Sequence, residues 1–139
     1  MNKTATRFAD CLQAKMFPMH IIKVKEDGND TVFAFGQKIK DNEVTIIIDF
    51  DEDSKCVDLT ILDLVKLSGN CDKKKVYEKL NEINSSYRFP KFHVNEENSI
   101  ISQITIPYES EVSGEMVFDM LRSMMTFCHN VVDDLNKYR

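Results

Sequence analysis

Little in this 139-residue chain bends or loosens it: three prolines and four glycines are present, and none of them gathers into a linker. Their scarcity excludes a flexible hinge between domains. No internal repeat is visible, and a chain of this length buries roughly two-thirds of its unfolded surface in one core. One domain over residues 1–139 is the expectation. No apolar run approaches the roughly 20 residues that a membrane helix requires. The N-terminal MNKTATRFADCLQAKMF carries charges where a secretory signal needs an unbroken apolar stretch. These absences point to a cytosolic protein with reduced thiols and no membrane partner.

An excess of basic residues is also missing. The net charge is -5, which works against nucleic acid as a partner, because phosphate binding needs Lys and Arg clustered on one face. The one basic cluster, Lys73-Lys74-Lys75, falls where a helix begins; it reads as a solvated face, with a partner contact as the minor reading. Cys11, Cys56, Cys71 and Cys128 form no CxxC or CxxH pair, so the usual zinc and dithiol motifs are excluded and the thiols read as small hydrophobes. No GxSxG, phosphate loop or dinucleotide fingerprint occurs. A Cys/His nucleophilic pair would need one of those thiols beside His20, His93 or His129, and no Gly-flanked turn surrounds any of them.

Two further constellations invite a metal reading and lose it. Asp49, Asp51, Glu52 and Asp53 begin like a calcium loop, but the positions that require Gly and a bidentate Glu hold Ser54 and Thr60. A hairpin turn is the expectation. His129 and Asp133 lie one helical turn apart, and two ligands make a poor site. The chain thus offers no catalytic, cofactor-binding or metal residue with a motif behind it.

What is present is periodicity. Ala5, Phe8, Cys11, Leu12 and Met16 mark a first helix over residues 4–16, closed by Pro18. A strand over residues 19–25, the turn EDGND and a strand over 31–36 predict a hairpin. Val44, Ile46, Ile48 and Phe50 alternate with polar or outward residues, DEDSK turns the chain, and Val57, Leu59 and Ile61 alternate again before a run through Leu64, Val65 and Leu67 stays apolar until Ser68-Gly69-Asn70. Four strands in a meander follow. Asp72 or Asn70 can cap a second helix carrying Val76, Leu80, Ile83 and Tyr87, which ends near Ser86. Pro90 forces extended geometry, so strands are expected over 91–95 and 99–108, joined by NEEN. Ser113 then caps a last helix, whose apolar repeat runs from Val117 through Leu121, Met124, Cys128, Val131 and Leu135 to Tyr138. The fold class is α+β: helix, four strands, helix, two strands, helix, with an antiparallel sheet because the loops are too short for parallel crossovers.

In the junction Leu80 to Phe92, Leu80 is expected to pack and Asn81 and Asn84 to close the helix. Tyr87, Phe89 and Phe92 are expected to share an aromatic cluster, part of it in the core. These residues, with the Tyr87-Arg88-Phe89-Pro90-Lys91-Phe92 run, the Ile104-Thr105-Ile106 strand and the long helix through Phe127 and Asp133, resemble the YbjN-type domain family, the bacterial sensory transduction regulators. The resemblance implies a type III secretion chaperone-like fold, a polypeptide partner of unknown identity and a possible homodimer. It brings no catalytic residue or cofactor. A non-enzymatic, protein-binding regulator or chaperone-like adaptor is the resulting expectation, with an exposed sheet face or the second helix as contact surface. The alternatives are a domain that senses a small molecule between helix and sheet, and an enzyme built on a Cys/His pair.

Overall fold

The structure, a computed structural model, describes residues 1–17 and 23–139. Its elements are α1 (Lys3–Ala14), β1 (Lys23–Asp27), β2 (Asp30–Ile39), β3 (Asn42–Asp51), β4 (Cys56–Lys66), α2 (Lys73–Ser86), β5 (Lys91–Val94), β6 (Ser99–Pro107) and α3 (Gly114–Asn136). The strands form one antiparallel sheet in the order β1-β2-β3-β4-β6-β5. The α+β class and the element order match the sequence expectation. The predicted helix stop at Pro18 and the first residues of the predicted strand over 19–25 lie outside the described residues.

Strand periodicity decides which residues meet. Because side chains alternate across a sheet, register carries one apolar row straight through the meander. Phe33 pairs with Ile48, Ile48 with Leu59, and Leu59 with Ile104; beside it run Phe35, Ile46, Ile61 and Ser102. All eight are buried. Helices α1 and α3 lie against this face, with the Phe8 ring 5.7 Å from Phe50 and 6.3 Å from Phe33. Burial of so many aromatic and branched side chains, at about 1.5–3 kcal/mol each, is what holds the layers together.

Three local devices fix the helices on the sheet. Asn2 caps α1 by accepting from the Ala5 N–H at 2.9 Å, while its amide donates to the carbonyls of Phe50 (2.8 Å) and Asn29 (3.1 Å). One side chain therefore starts the helix and moors it to the sheet. Gly114, the first residue of α3, lies so close to α1 that a Cβ there would overlap the Arg7 carbonyl. At the far end, the buried Asn42 amide donates to the Leu64 carbonyl and to Asn136 Oδ1, both at 2.7 Å, which clasps the end of α3 to β3.

Some expectations need correction. The first helix ends at Ala14, and Met16, expected on its apolar stripe, takes a left-handed φ of 51° and is 88% exposed. The left-handed residue turns the chain back, the Phe17 N–H donates to the Leu12 carbonyl, and Phe17 packs edge-on against Phe118 at 5.0 Å in the place predicted for Met16. Asp72, not Asn70, caps α2, accepting from the N–H groups of Lys74 and Lys75. Between Ile61 and Val65 the β4–β6 register shifts, with Asp63 at a φ of 58°, so Leu64 and Val65 are both buried and strict alternation ends. Tyr87 lies beyond the end of α2 and Tyr138 beyond the end of α3.

Candidate functional site

The junction between α2 and β5 is built for structure. Leu80 is buried, as expected. Asn84 does more than close a helix: its amide nitrogen donates to the Phe92 carbonyl at 3.0 Å and its oxygen accepts the Phe92 N–H at 2.8 Å. The side chain thereby occupies both backbone groups of one residue on an edge strand, a position otherwise open to another strand. Lys91 donates to the carbonyls of Asn84 and Tyr87, where a cation suits the negative end of the helix. Asn81 contributes no side-chain bond of this kind; it is exposed, and its carbonyl accepts the Ser85 hydroxyl. The aromatic cluster divides: Phe92 is buried, Tyr87 stacks on Phe127 at 4.5 Å, and Phe89 is 51% exposed.

The metal and nucleophile candidates do not converge. Asp51 accepts the Ser54 N–H at 3.1 Å, which holds its carboxyl below the usual range, and Asp53 accepts from Asn29; these are turn bonds. Asp133 pairs with Lys40 rather than His129. Among the described residues no group of three or more His, Cys, Asp and Glu side chains is poised for a metal. Burial pushes the Cys128 thiol up to about 12, and burial followed by nearby carboxylates raises Cys11 and Cys56. Thiolates are thus disfavoured at those three positions. His20 lies outside the described residues, and His93 and His129 are exposed. Lys73, Lys74 and Lys75 are exposed as well.

The face of the sheet turned away from α1 and α3 has a different character. Its rows are the other halves of the same ladders: Val32, Asp49, Asp58 and Thr105; then Ala34, Ile47, Thr60 and Gln103; then Gly36, Thr45 and Leu62. Val32, Ala34, Ile47 and Leu62 are half-buried and stand apart from the packed core. They make an aliphatic strip on a sheet face left uncovered by the described helices. At one end the strip opens into a depression of about 730 Å³ lined by Gly36, Lys38, Glu43, Thr45, Asp63 and Lys66.

At the other end stand carboxylates. Asp30, Asp49, Asp51 and Asp58 share this face across three adjacent strands, Asp49 directly opposite Asp58 and Asp30 directly opposite Asp51. Like charges in opposed positions repel. Asp58 accepts the Thr105 hydroxyl at 2.5 Å, and Asp51 has its turn N–H. Oδ1 of Asp30 and Oδ1 of Asp49 are buried, and no other residue donates to either. Burial, then a bond shared with Asp30, then the surrounding carboxylates push Asp49 up to about 7. No ion pair reaches any of these four among the described residues. Sequence reasoning treats these aspartates as turn and surface charge, and misses the patch because it depends on pairing register. The usable signal is parity: Asp49 shares its strand face with Ile47, which interrupts the polar side of an otherwise regular alternation.

No curated protein and no solved structure shows a significant match to the chain. A family model does: YbjN, described as "Putative bacterial sensory transduction regulator", matches residues 22–137. That span covers both hairpin groups, the α2–β5 junction and α3, and the chain therefore belongs to the YbjN family.

Proposed function

We propose that this chain is a non-enzymatic, polypeptide-binding regulatory module, a single cytosolic domain over residues 1–139 that works as a homodimer with a chaperone-like architecture. The observation that carries it is the uncovered sheet face, on which Val32, Ala34, Ile47 and Leu62 form an aliphatic strip bordered by charge. Family membership supports the regulatory role, and fold analogy alone supplies the chaperone-like architecture and the dimer. No helix is long and apolar enough to cross a membrane among the described residues. Light scattering combined with affinity capture from native cytosol tests the proposal: a dimer and a stoichiometric polypeptide are expected. A strict monomer that captures nothing overturns it.

One feature favours small-molecule sensing as a second reading. A cleft of about 260 Å³ lies between the end of β2 and α3, lined by Lys38, Ile39, Met125, Thr126 and His129. A metabolite screen by thermal shift, with a hit lost in His129→Ala, is the result that supports this reading. The Cys/His enzyme has the raised thiols against it. Slow alkylation of Cys11, Cys56 and Cys128 by iodoacetamide near neutral pH is expected, slowest at the buried Cys128.

A further inference from the structure

The acidic end and the aliphatic strip of the open sheet face are adjacent parts of one surface. Along β3, Asp49, Ile47 and Thr45 succeed one another on this face in steps of about 6.8 Å. An extended polypeptide presents its own same-side residues at that same step. At the acidic end the buried Oδ1 atoms of Asp30 and Asp49 receive no donor from any other residue. Buried anions of this kind are costly unless a donor or a counter-charge meets them. The charged and titratable groups sharing the patch are Asp51 from β3, Asp58 and Cys56 from β4, and Lys25 and Asp27 at the neighbouring register positions of β1. Carboxylates dominate that set, so the complementary ligand group is a cation. The strip that follows them demands aliphatic side chains.

Building on the polypeptide-binding reading above, we propose that this face takes an extended partner segment carrying one arginine or lysine followed at alternate positions by aliphatic residues. The cation seats at Asp30 and Asp49, and the aliphatic groups lie over Val32, Ala34, Ile47 and Leu62. Arginine fits best, since its planar fork can donate to two carboxylate oxygens at once. The occupant is a different chain: this face asks for a free extended segment, and the described strands of this chain are all paired within its own sheet. Burial and the surrounding carboxylates push Asp49 up to about 7; a cation docked beside it favours the ionised form, so binding near neutral pH is linked to proton release.

The test uses the full chain and the synthetic peptide Ser-Arg-Ser-Val-Ser-Val-Ser, with Glu in place of Arg as control. Expected are backbone amide NMR shifts confined to β2, β3 and β4 on the arginine peptide alone. An affinity about tenfold weaker is expected in Asp30→Asn/Asp49→Asn, as is a binding heat at pH 7 that depends on the buffer's ionisation enthalpy. Ile47→Ser, a second variant that keeps the carboxylates, should weaken the same peptide. Equal binding of both peptides, or undiminished binding by the double variant, overturns the proposal. So does reproduction of the same shifts by calcium chloride alone, or by raising the protein concentration with no peptide present. Undiminished capture of a native partner by the double variant removes the cation anchor while polypeptide binding stands; failure of the unaltered protein to capture any polypeptide removes both.

Discussion

The two faces of the sheet are made by neighbouring residues of the same strands, yet they obey different rules. On the covered face, Phe33, Ile48, Leu59 and Ile104 meet under two helices and are closed to water. One position away, Val32, Asp49, Asp58 and Thr105 form the corresponding row on a face that no helix among the described residues covers. Packing selects the first set, since every atom there has neighbours to lose. Stability does not explain the second, because opposed aspartates and half-exposed aliphatic groups both work against it. A surface kept at some cost to the fold is the better candidate for recognition.

The sharpest way to break this contrast is to truncate a residue on the covered side. Phe33→Ala should lower the unfolding free energy by about 3–5 kcal/mol in urea titrations, through lost burial and the cavity left behind. A cost below about 1 kcal/mol would mean that the two faces are not so different. Gly114→Ala probes the closeness of α1 and α3 and should cost about 1–3 kcal/mol, because the new methyl group meets the Arg7 backbone rather than a side chain that can move. Asn84→Ala removes both bonds to Phe92 and should cost about 1–2 kcal/mol.

The open face predicts the opposite sign. Asp49 binds its proton more tightly folded than unfolded, so its contribution to stability is complete below about pH 4 and is lost as pH rises through about 7. Asp49→Asn has no such loss. It should be more stable than the unaltered protein at pH 8, by an amount on the order of 1 kcal/mol once solvent screening is allowed for, with the advantage disappearing towards pH 4 in a series of thermal melts. The smallest effect is expected from Ile47→Thr, within about 0.5–1 kcal/mol, since the residue packs under no helix. A large loss there would show that the open face belongs to the core.

Most of the covered face is legible in the sequence. Val44, Ile46, Ile48 and Phe50 alternate, the last helix repeats every three or four residues, and Pro90 marks a strand by chemistry alone. Legibility fails where geometry depends on distant partners. Asn84 is recognisable as a residue at a helix end, but its bidentate grip on Phe92 depends on where β5 arrives. Met16 fits the helical period and loses its place to Phe17 because the chain turns left-handed there. The acidic patch is the plainest case: Asp30, Asp49 and Asp58 lie on three strands, and only the pairing register makes them neighbours.

The clasp between Asn42 and Asn136 joins residues made far apart in time. With synthesis at about 5–20 residues per second, roughly 5–20 s separate the emergence of β3 from that of the end of α3. Once β4 has followed, α1 and the meander are complete, but the aliphatic and aromatic rows that α3 will cover are open to solvent or to a chaperone. A domain whose last helix seals its first strands cannot be finished piecemeal, so truncations and translational pauses within α3 should expose the inner face and leave a chain prone to aggregate.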